Sequence, residues 1–382
     1  MDFELSNRQK QIRLAAREFA EGELAPIGKE CESKGEFPRD LIKKAAQLGF
    51  IGCFIKKEYG GLGLGLMEHA IILEEFWRAE PGLAQVLAQP AFGSDILLLY
   101  GSEEQKKKYL PPIAKGDWVM GFSITEPEAG SDAASVTTTA VKAGDEYVIN
   151  GNKVMISNGT TAKFILVFCL TGTEETPKSK RHSIFVVETD RPGYKADRIQ
   201  GKMGLHASDT ANIFFNNVRV PKENLLGVEG DGFPQLIEFL NRSRVIIAAH
   251  AVGLAQGAME QAVNYVKKRK QFGKTIASFQ ITQFKVAEIA TLVETARELT
   301  HKAGWYVDRG TPNPQLSSMA KWWASNVAVR VVDEALQLHG GYGYLDDYPI
   351  ERFYRAAKLL ELYEGTKEIQ KLLIGRQILG VK

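Results

Sequence analysis

The sequence predicts a multidomain α+β fold: a helical N-terminal domain over residues 1–117, a middle antiparallel β domain over 118–228 and a C-terminal helical bundle over 229–382. Three observations carry this reading. Apolar residues recur at helical spacing to about residue 115. Short β-branched runs with turn signals between them then take over to about residue 228. From Phe233 the helical period returns and lasts to the end. A chain of 382 residues is also too long for one ordinary core.

In the first unit, Ser6 or Asn7 is placed to cap a helix carrying Ile12, Ala15, Ala16 and Phe19, with Pro26 just beyond its end. A second helix is expected from Pro38-Arg39-Asp40, a third from Met67 through Phe76, and a fourth over roughly Leu83 to Tyr100, stopped by Gly101. Phe50–Ile55 has the composition of a strand, and Gly60-Gly61-Leu62-Gly63-Leu64-Gly65 follows it. The spacing is not G-x-G-x-x-G and no second strand ending in an acid follows, so this is a glycine-rich connection. In the second unit, Tyr147-Val148-Ile149 and Lys153–Ile156 flank Asn150-Gly151-Asn152, the pattern of a hairpin. Phe164–Leu170, Ser183–Glu188 and Ile213–Val220 read as further strands. The third unit reads as one long helix over 233–268, two more over 279–308 and 315–338, and a short final pair.

The composition excludes several function classes. A net charge of +2 provides no field for nucleic acid or an acidic membrane surface. The clusters Lys106–Lys108 and Lys267–Lys270 read as solvated helix faces. No run of about 18 apolar residues is present, so no membrane span is expected. The start Met1-Asp2-Phe3-Glu4-Leu5 lacks the basic and apolar regions of a secretory leader, and Cys31, Cys53 and Cys169 show no disulfide spacing. A cytoplasmic or other reducing compartment is expected. The histidines are scattered without H-E-x-x-H spacing, and no metal site is expected.

Four segments carry chemistry. Tyr363-Glu364-Gly365-Thr366-Lys367-Glu368-Ile369-Gln370 puts a carboxylate at a turn entering a helix, with Thr366 as its cap. Phe122-Ser123-Ile124-Thr125-Glu126-Pro127-Glu128-Ala129-Gly130-Ser131-Asp132 provides hydroxyls and backbone amides suited to polar ring atoms and a phosphate. Arg269-Lys270-Gln271-Phe272-Gly273 offers a guanidinium for a pyrophosphate. Gln337-Leu338-His339-Gly340-Gly341-Tyr342-Gly343 lets a ligand approach the backbone. Alone, each segment reads first as a capping sequence, a loop or a helix end.

In this order, and together with Gly101–Lys106, Asn150–Lys153 and Val218–Gly227, these segments resemble the acyl-CoA dehydrogenase family over essentially the whole chain. The resemblance implies that the bundle has four helices, that the protein is a homotetramer and that it uses FAD. It implies an acyl-CoA substrate dehydrogenated between its α and β carbons, with Glu364 as the base and electron-transferring flavoprotein as the acceptor. By position, Phe122, Thr125, Met155 and Ser157 would meet the isoalloxazine ring. Arg269, Phe272 and Gln280 would reach the FAD of a neighbouring subunit, and Gln337, Gly340 and Gly341 its adenosine diphosphate half. Thr366 and Glu368 would flank the cofactor beside the base. Ser131, Asn241 and Arg244 would hold the CoA portion and its pocket.

Some branches of that family carry the base at the position of Ser243; serine there leaves Glu364 as the candidate. Met155 stands where a tryptophan is common, and Ala356 replaces an aspartate after Arg355. Helix 83–92 is expected to line the acyl pocket, and Leu83 at the position of a carboxylate-binding arginine disfavours a dicarboxylic acyl group; Gln85 and Ala88 do not define chain length. Asp95 is a candidate second carboxylate near the pocket, of consequence for unusual eliminations, although its ordinary reading is structural or solvent-facing. His206 and His250 read as packing residues. The alternatives are an acyl-CoA oxidase using oxygen and a catalytically inactive acyl-CoA-binding homologue; a nitroalkane-type relative would carry an aspartate base.

Overall fold

The computed structural model describes residues 4–381; Met1–Phe3, the start of the segment read above for a leader, lie outside them. Helix α1 (Asn7–Phe19) opens with a reciprocal cap between Ser6 and Gln9. It is followed by α2 (Gly28–Lys34), α3 (Arg39–Gln47) and α4 (Leu66–Ala79). The expected helix over Leu83–Tyr100 is two helices, α5 (Pro81–Ala88) and α6 (Ser94–Tyr100). Pro90 withdraws a backbone donor and Gly93 adopts φ 97°, so the chain turns between them. A second Ser–Gln box, Ser102 with Gln105, opens α7 (Glu103–Ala114).

Phe50–Ile55 is a turn, not a strand. The glycine-rich connection after it leads into α4, whose Leu66 and Met67 N–H groups donate to the Asp308 carboxylate at 2.6 and 2.9 Å. That helix N-terminus is therefore filled by an internal carboxylate.

The middle of the chain forms a mixed sheet from β1 (Met120–Ser123), β2 (Thr139–Ala143), β3 (Glu146–Ser157), β4 (Phe164–Leu170), β5 (His182–Glu188), β6 (Tyr194–Arg198) and β7 (Thr210–Pro221). The order is β1-β4-β2-β3-β7-β6, with β5 also on β4. The sheet is not wholly antiparallel, because β1 runs parallel to β4 from Met120–Phe164 to Ser123–Val167. The β2–β3 hairpin between these two strands supplies the crossover that a parallel pair requires. Its reversal is at Gly144-Asp145 and not at the expected Asn150-Gly151-Asn152. There β3 continues through a bulge. Gly151 has φ 146°, and a side chain on it would meet the Thr138 backbone at 2.7 Å. The glycine serves a close crossing, and no reversal is needed.

Strand β4 explains the layering. Phe164, Leu166 and Phe168 pack into the main core shared with the helices, whereas Ile165, Val167 and Cys169 pack into a second core within the β region. A strand buried on both faces reads as an unbroken apolar run, as Phe164–Leu170 does.

The C-terminal part comprises α8 (Gly232–Lys268), the small β8 (Lys270–Gln271) and β9 (Lys274–Thr275), α9 (Gln280–Asp308), α10 (Pro314–His339), α11 (Ile350–Leu360) and α12 (Lys367–Leu379). Helix α8 crosses α4 at backbone contact: a side chain on Gly253 would meet the Glu74 carbonyl oxygen at 2.1 Å. This crossing fixes α4, and with it His69, against α8.

Cys31, Cys53 and Cys169 are buried and unpaired. Burial pushes the Cys53 and Cys169 thiols up, Cys169 to about 12. No helix among the described residues is long and apolar enough to cross a membrane.

Candidate active site

Glu364 sits in the short connection between α11 and α12, in the left-handed region with φ 55°, and Gly365 follows with φ 86°. A side chain held there costs roughly 1–3 kcal/mol, which the surroundings must offset. Three contacts fix the turn. Gln370 Nε2 donates to the Glu364 and Gly365 carbonyl oxygens at 3.2 and 3.0 Å. Lys321 Nζ, fully buried on α10, donates to the Gly365 carbonyl at 2.7 Å. Thr366 caps α12 by accepting from the Ile369 N–H. Glu368 lies in the exposed first turn of that helix.

The Glu364 carboxylate accepts a 2.6 Å hydrogen bond from Ser243 Oγ on α8. The residue keeps some accessible surface while its carboxyl is buried against Ser243. Burial raises its proton affinity above the ordinary carboxyl value. The Ser243 bond and the cations Lys321 and Arg244 oppose that rise, and Asp95 reinforces it. Burial also lowers Lys321 to about 8 and Arg244 to about 10. Arg244 donates to Asn241 Oδ1 at 3.2 Å, and its buried Nε has no protein partner among the described residues. Tyr363, beside the base, lies 3.2 Å from Nδ1 of His250, which stacks on Trp77 at 4.8 Å.

Ser243 also lines a small recess walled by Phe54, Phe92, Phe239 and Ile246. His69, Asp95 and Arg242 enter the same recess. Asp95 is thus not solvent-facing; its Oδ2 lies 3.5 Å from Arg242 Nε. Of the expected lining stretch 83–92, Ala91 and Phe92 reach the recess, with Gly93 after them, in the turn after α5, whereas Leu83 is buried elsewhere.

Phe122 on β1 meets Phe239 at 5.1 Å, at the edge of this recess. Thr125 is tied to the next part of the site through its carbonyl, which accepts from the Val154 N–H at 2.9 Å. Met155 follows with φ 60° and is 71% exposed, an apolar side chain held in a strained conformation and turned outward. Ser157 ends the same strand. Beneath them lies a pair that the sequence did not signal. Lys153, fully buried, donates to Glu126 Oε1 at 2.9 Å and to the Ile124 carbonyl at 2.8 Å. Glu126 in turn accepts from the Thr137 and Thr138 N–H groups. Ser131 is exposed on the loop beyond.

A separate groove brings together Arg269, Gln271, Gln337, Gly340, Gly341 and Tyr342. Arg269 lies over the Tyr342 ring at 5.3 Å. Gly340 adopts φ 60°, ψ −142°, and open space lies where a side chain on it or on Gly341 would project. Phe272, also at positive φ, is 92% exposed and contacts only Phe279 among rings, next to Gln280. An open groove floored by glycine and flanked by a guanidinium and exposed aromatics suits a pyrophosphate with an aromatic ring system. Groove and recess are lined by different residues.

Ala356 is buried against the core, and Arg355 has other partners: Glu351 at 2.8 Å and Glu32 at 3.0 Å. Arg355 is therefore paired without an acidic residue at position 356. His206 is tied to the Lys202 carbonyl at 2.7 Å.

Sequence profiles for the acyl-CoA dehydrogenase N-terminal, middle and C-terminal domains match residues 6–117, 121–218 and 230–379. An acyl-CoA dehydrogenase of Bacillus subtilis is 41% identical over 98% of this chain and 99% of its own. The NADH-dependent acryloyl-CoA reductase of Anaerotignum propionicum is 42% identical over 99% of this chain and 96% of its own. The structure of butyryl-CoA dehydrogenase from Megasphaera elsdenii superposes with a TM-score of 0.95 at 37% identity, covering 99% of this chain and all of the other. The chain is an oxidoreductase that belongs to the acyl-CoA dehydrogenase family.

Proposed function

We propose that the protein dehydrogenates an acyl-CoA thioester to the enoyl-CoA, with Glu364 as the base. The observation that carries this is a buried carboxylate, held in a left-handed turn and bonded at 2.6 Å by Ser243, which itself lines the recess. In the proposed reaction Glu364 takes the α-proton of the acyl group onto its carboxylate. Its raised proton affinity brings the base closer to the weakly acidic C–H it must deprotonate. The Glu364 backbone N–H is the donor assigned to the thioester oxygen, where negative charge develops. Lys321 and Gln370 keep that N–H and the carboxylate in fixed relation by holding the two carbonyls of the turn. Arg244 and Asn241 bind the CoA side, with Ser131 on the loop nearer solvent.

FAD is the cofactor of this reading and, when bound, supplies the acceptor for the β-hydride. Phe122, Thr125, Met155, Ser157, Thr366 and Glu368 would hold its ring. Arg269, Phe272, Gln280, Gln337, Gly340 and Gly341 would hold the diphosphate half belonging to a second subunit, as in a homotetramer. Two separately lined sites in one chain support that division. Electron-transferring flavoprotein is the proposed acceptor. The units of this arrangement are 1–117, 118–228 and 229–382.

The test is anaerobic bleaching of the flavin-loaded protein with a panel of acyl-CoAs, compared with Glu364→Gln. Bleaching by one class of thioester, lost in a variant that keeps its flavin, supports the reading. Equal bleaching in the variant overturns Glu364 as the base. No bleaching of the wild type by any acyl-CoA overturns the dehydrogenase reading, and rapid reoxidation by air replaces it with an oxidase.

A further inference from the structure

We propose that Asp95, held by Arg242 at the far end of the recess behind Ser243, is the specificity-determining residue of the acyl pocket, admitting compact acyl groups and turning away long saturated chains. This inference rests on the reading of Glu364 as the base.

Ser243 faces two ways: it donates to Glu364 and it lines the recess that Asp95 enters. On this reading an acyl group whose α-carbon lies at Glu364 extends its remaining carbons past Ser243 toward Asp95. The near walls, Phe92, Phe239 and Ile246, suit hydrocarbon. The end wall does not. It holds Asp95 and Arg242 at 3.5 Å, and Arg242 Nε is buried without a hydrogen-bond acceptor in proper geometry. Free space is about 30 Å3, room for one or two waters. A methylene chain pushed into that space would strip water from two charged groups and return no hydrogen bond.

The charges around Asp95 act in the same direction. Arg242 and Glu238 face it from α8, His69 from α4 and Glu364 from the turn before α12. Burial holds His69 neutral, its value lowered to about 4, so Arg242 is the one cation at the end wall. The first-turn amides of α6 and Arg242 favour the Asp95 carboxylate, yet burial prevails and raises it to about 6. As a carboxylate, Asp95 in turn raises the proton affinity of Glu364.

The test uses the flavin-loaded full-length protein, with butanoyl-CoA and dodecanoyl-CoA as probes in anaerobic single-turnover bleaching. Wild type is expected to prefer butanoyl-CoA. Asp95→Ala should raise the ratio of kcat/KM for dodecanoyl-CoA over butanoyl-CoA by about tenfold, the return from burying roughly two further methylenes. Asp95→Asn keeps the shape of the end wall and serves where the alanine variant is poorly folded. By removing the like charge it should move the pH midpoint of butanoyl-CoA bleaching downward. Unchanged chain-length preference in Asp95→Ala at full flavin content overturns the proposal. So does a wild type that takes both thioesters equally. Loss of bleaching with every thioester in Asp95→Asn also overturns it, since Asp95 would then touch the reacting atoms itself. Glu364→Gln run in parallel separates the two readings: it tests the base alone, whatever the Asp95 variants do.

Discussion

The recess around Glu364 and the groove around Arg269 are built in opposite ways. In the recess every functional group is held by another part of the same chain. The turn is tied by Lys321 and Gln370, the carboxylate by Ser243, and Asp95 by Arg242. At the groove the outward groups have little beneath them: Gly340 and Gly341 face open space, and Phe272, outside the lining but next to Gln271, is 92% exposed. The first region is preorganised by its own fold, at the cost of a strained backbone. The outward groups of the second lack such ties. Variants in the two regions should therefore fail differently, one in chemistry and the other in cofactor retention.

The largest expected effect is in the recess. Glu364→Gln should lower the bleaching rate by about 10²–10⁴-fold, while the protein elutes from gel filtration with undiminished flavin absorbance. A variant that lost flavin in step with rate would break the comparison. Next comes the groove. Gly340→Ala places a side chain in a backbone region that is essentially glycine-only, at a cost of about 1–3 kcal/mol. Flavin affinity, measured by equilibrium dialysis, should fall roughly 10- to 100-fold. Molecules that retain flavin should still bleach at the wild-type rate.

Smaller is the effect of Ser243→Ala, which removes a hydrogen bond to the charged form of Glu364. The base then ionises at higher pH, by about one pH unit if the bond contributes ~1.5 kcal/mol. The rising limb of the pH–rate profile should move upward by that amount, with the alkaline plateau largely preserved. A downward movement would mean that the serine does not stabilise the carboxylate.

The smallest effect is on stability. Because burial raises the Glu364 proton affinity in the folded state, the folded protein binds more protons than the unfolded chain between the ordinary carboxyl value and the raised one. Stability from this group is complete below the unfolded value and is lost as pH rises through the folded one. Glu364→Gln cannot ionise, so it should be more stable than wild type at pH 8, by about 1.4 kcal/mol for every tenfold by which folding tightens proton binding at Glu364, and indistinguishable at pH 4. Urea midpoints at the two pH values give the comparison.

Much of this was legible in the sequence where the signal is local. The alternation of helix, strand and helix periods gave the order of elements, and Thr366 in the segment Tyr363–Gln370 was readable as the cap of the last helix. Local signals failed where two remote segments meet. Asn150-Gly151-Asn152 has the composition of a hairpin, but Thr138 lies against Gly151 and the strand runs on. Lys321 sits within Met319-Ala320-Lys321-Trp322 and resembles any helix-surface lysine, yet its partner is 44 residues away at Gly365. Arg242 and Asp95 are likewise joined only by the approach of α8 to the first turn of α6. Lys153 and Glu126 show the same limit, since a fully buried ion pair leaves no trace in hydropathy.

The three buried cysteines carry a practical consequence. With Cys169 held near 12 and Cys53 also pushed up, almost no thiolate exists in the folded protein at neutral pH, and none of the three sulfurs lies on the surface. An aromatic disulfide reagent can therefore react only with molecules whose structure has opened. Cys31 lies in the N-terminal helices, Cys53 in the turn leading to the recess and Cys169 in the β region. Labelling each in turn makes the chain its own clock for opening, with one hand in each neighbourhood.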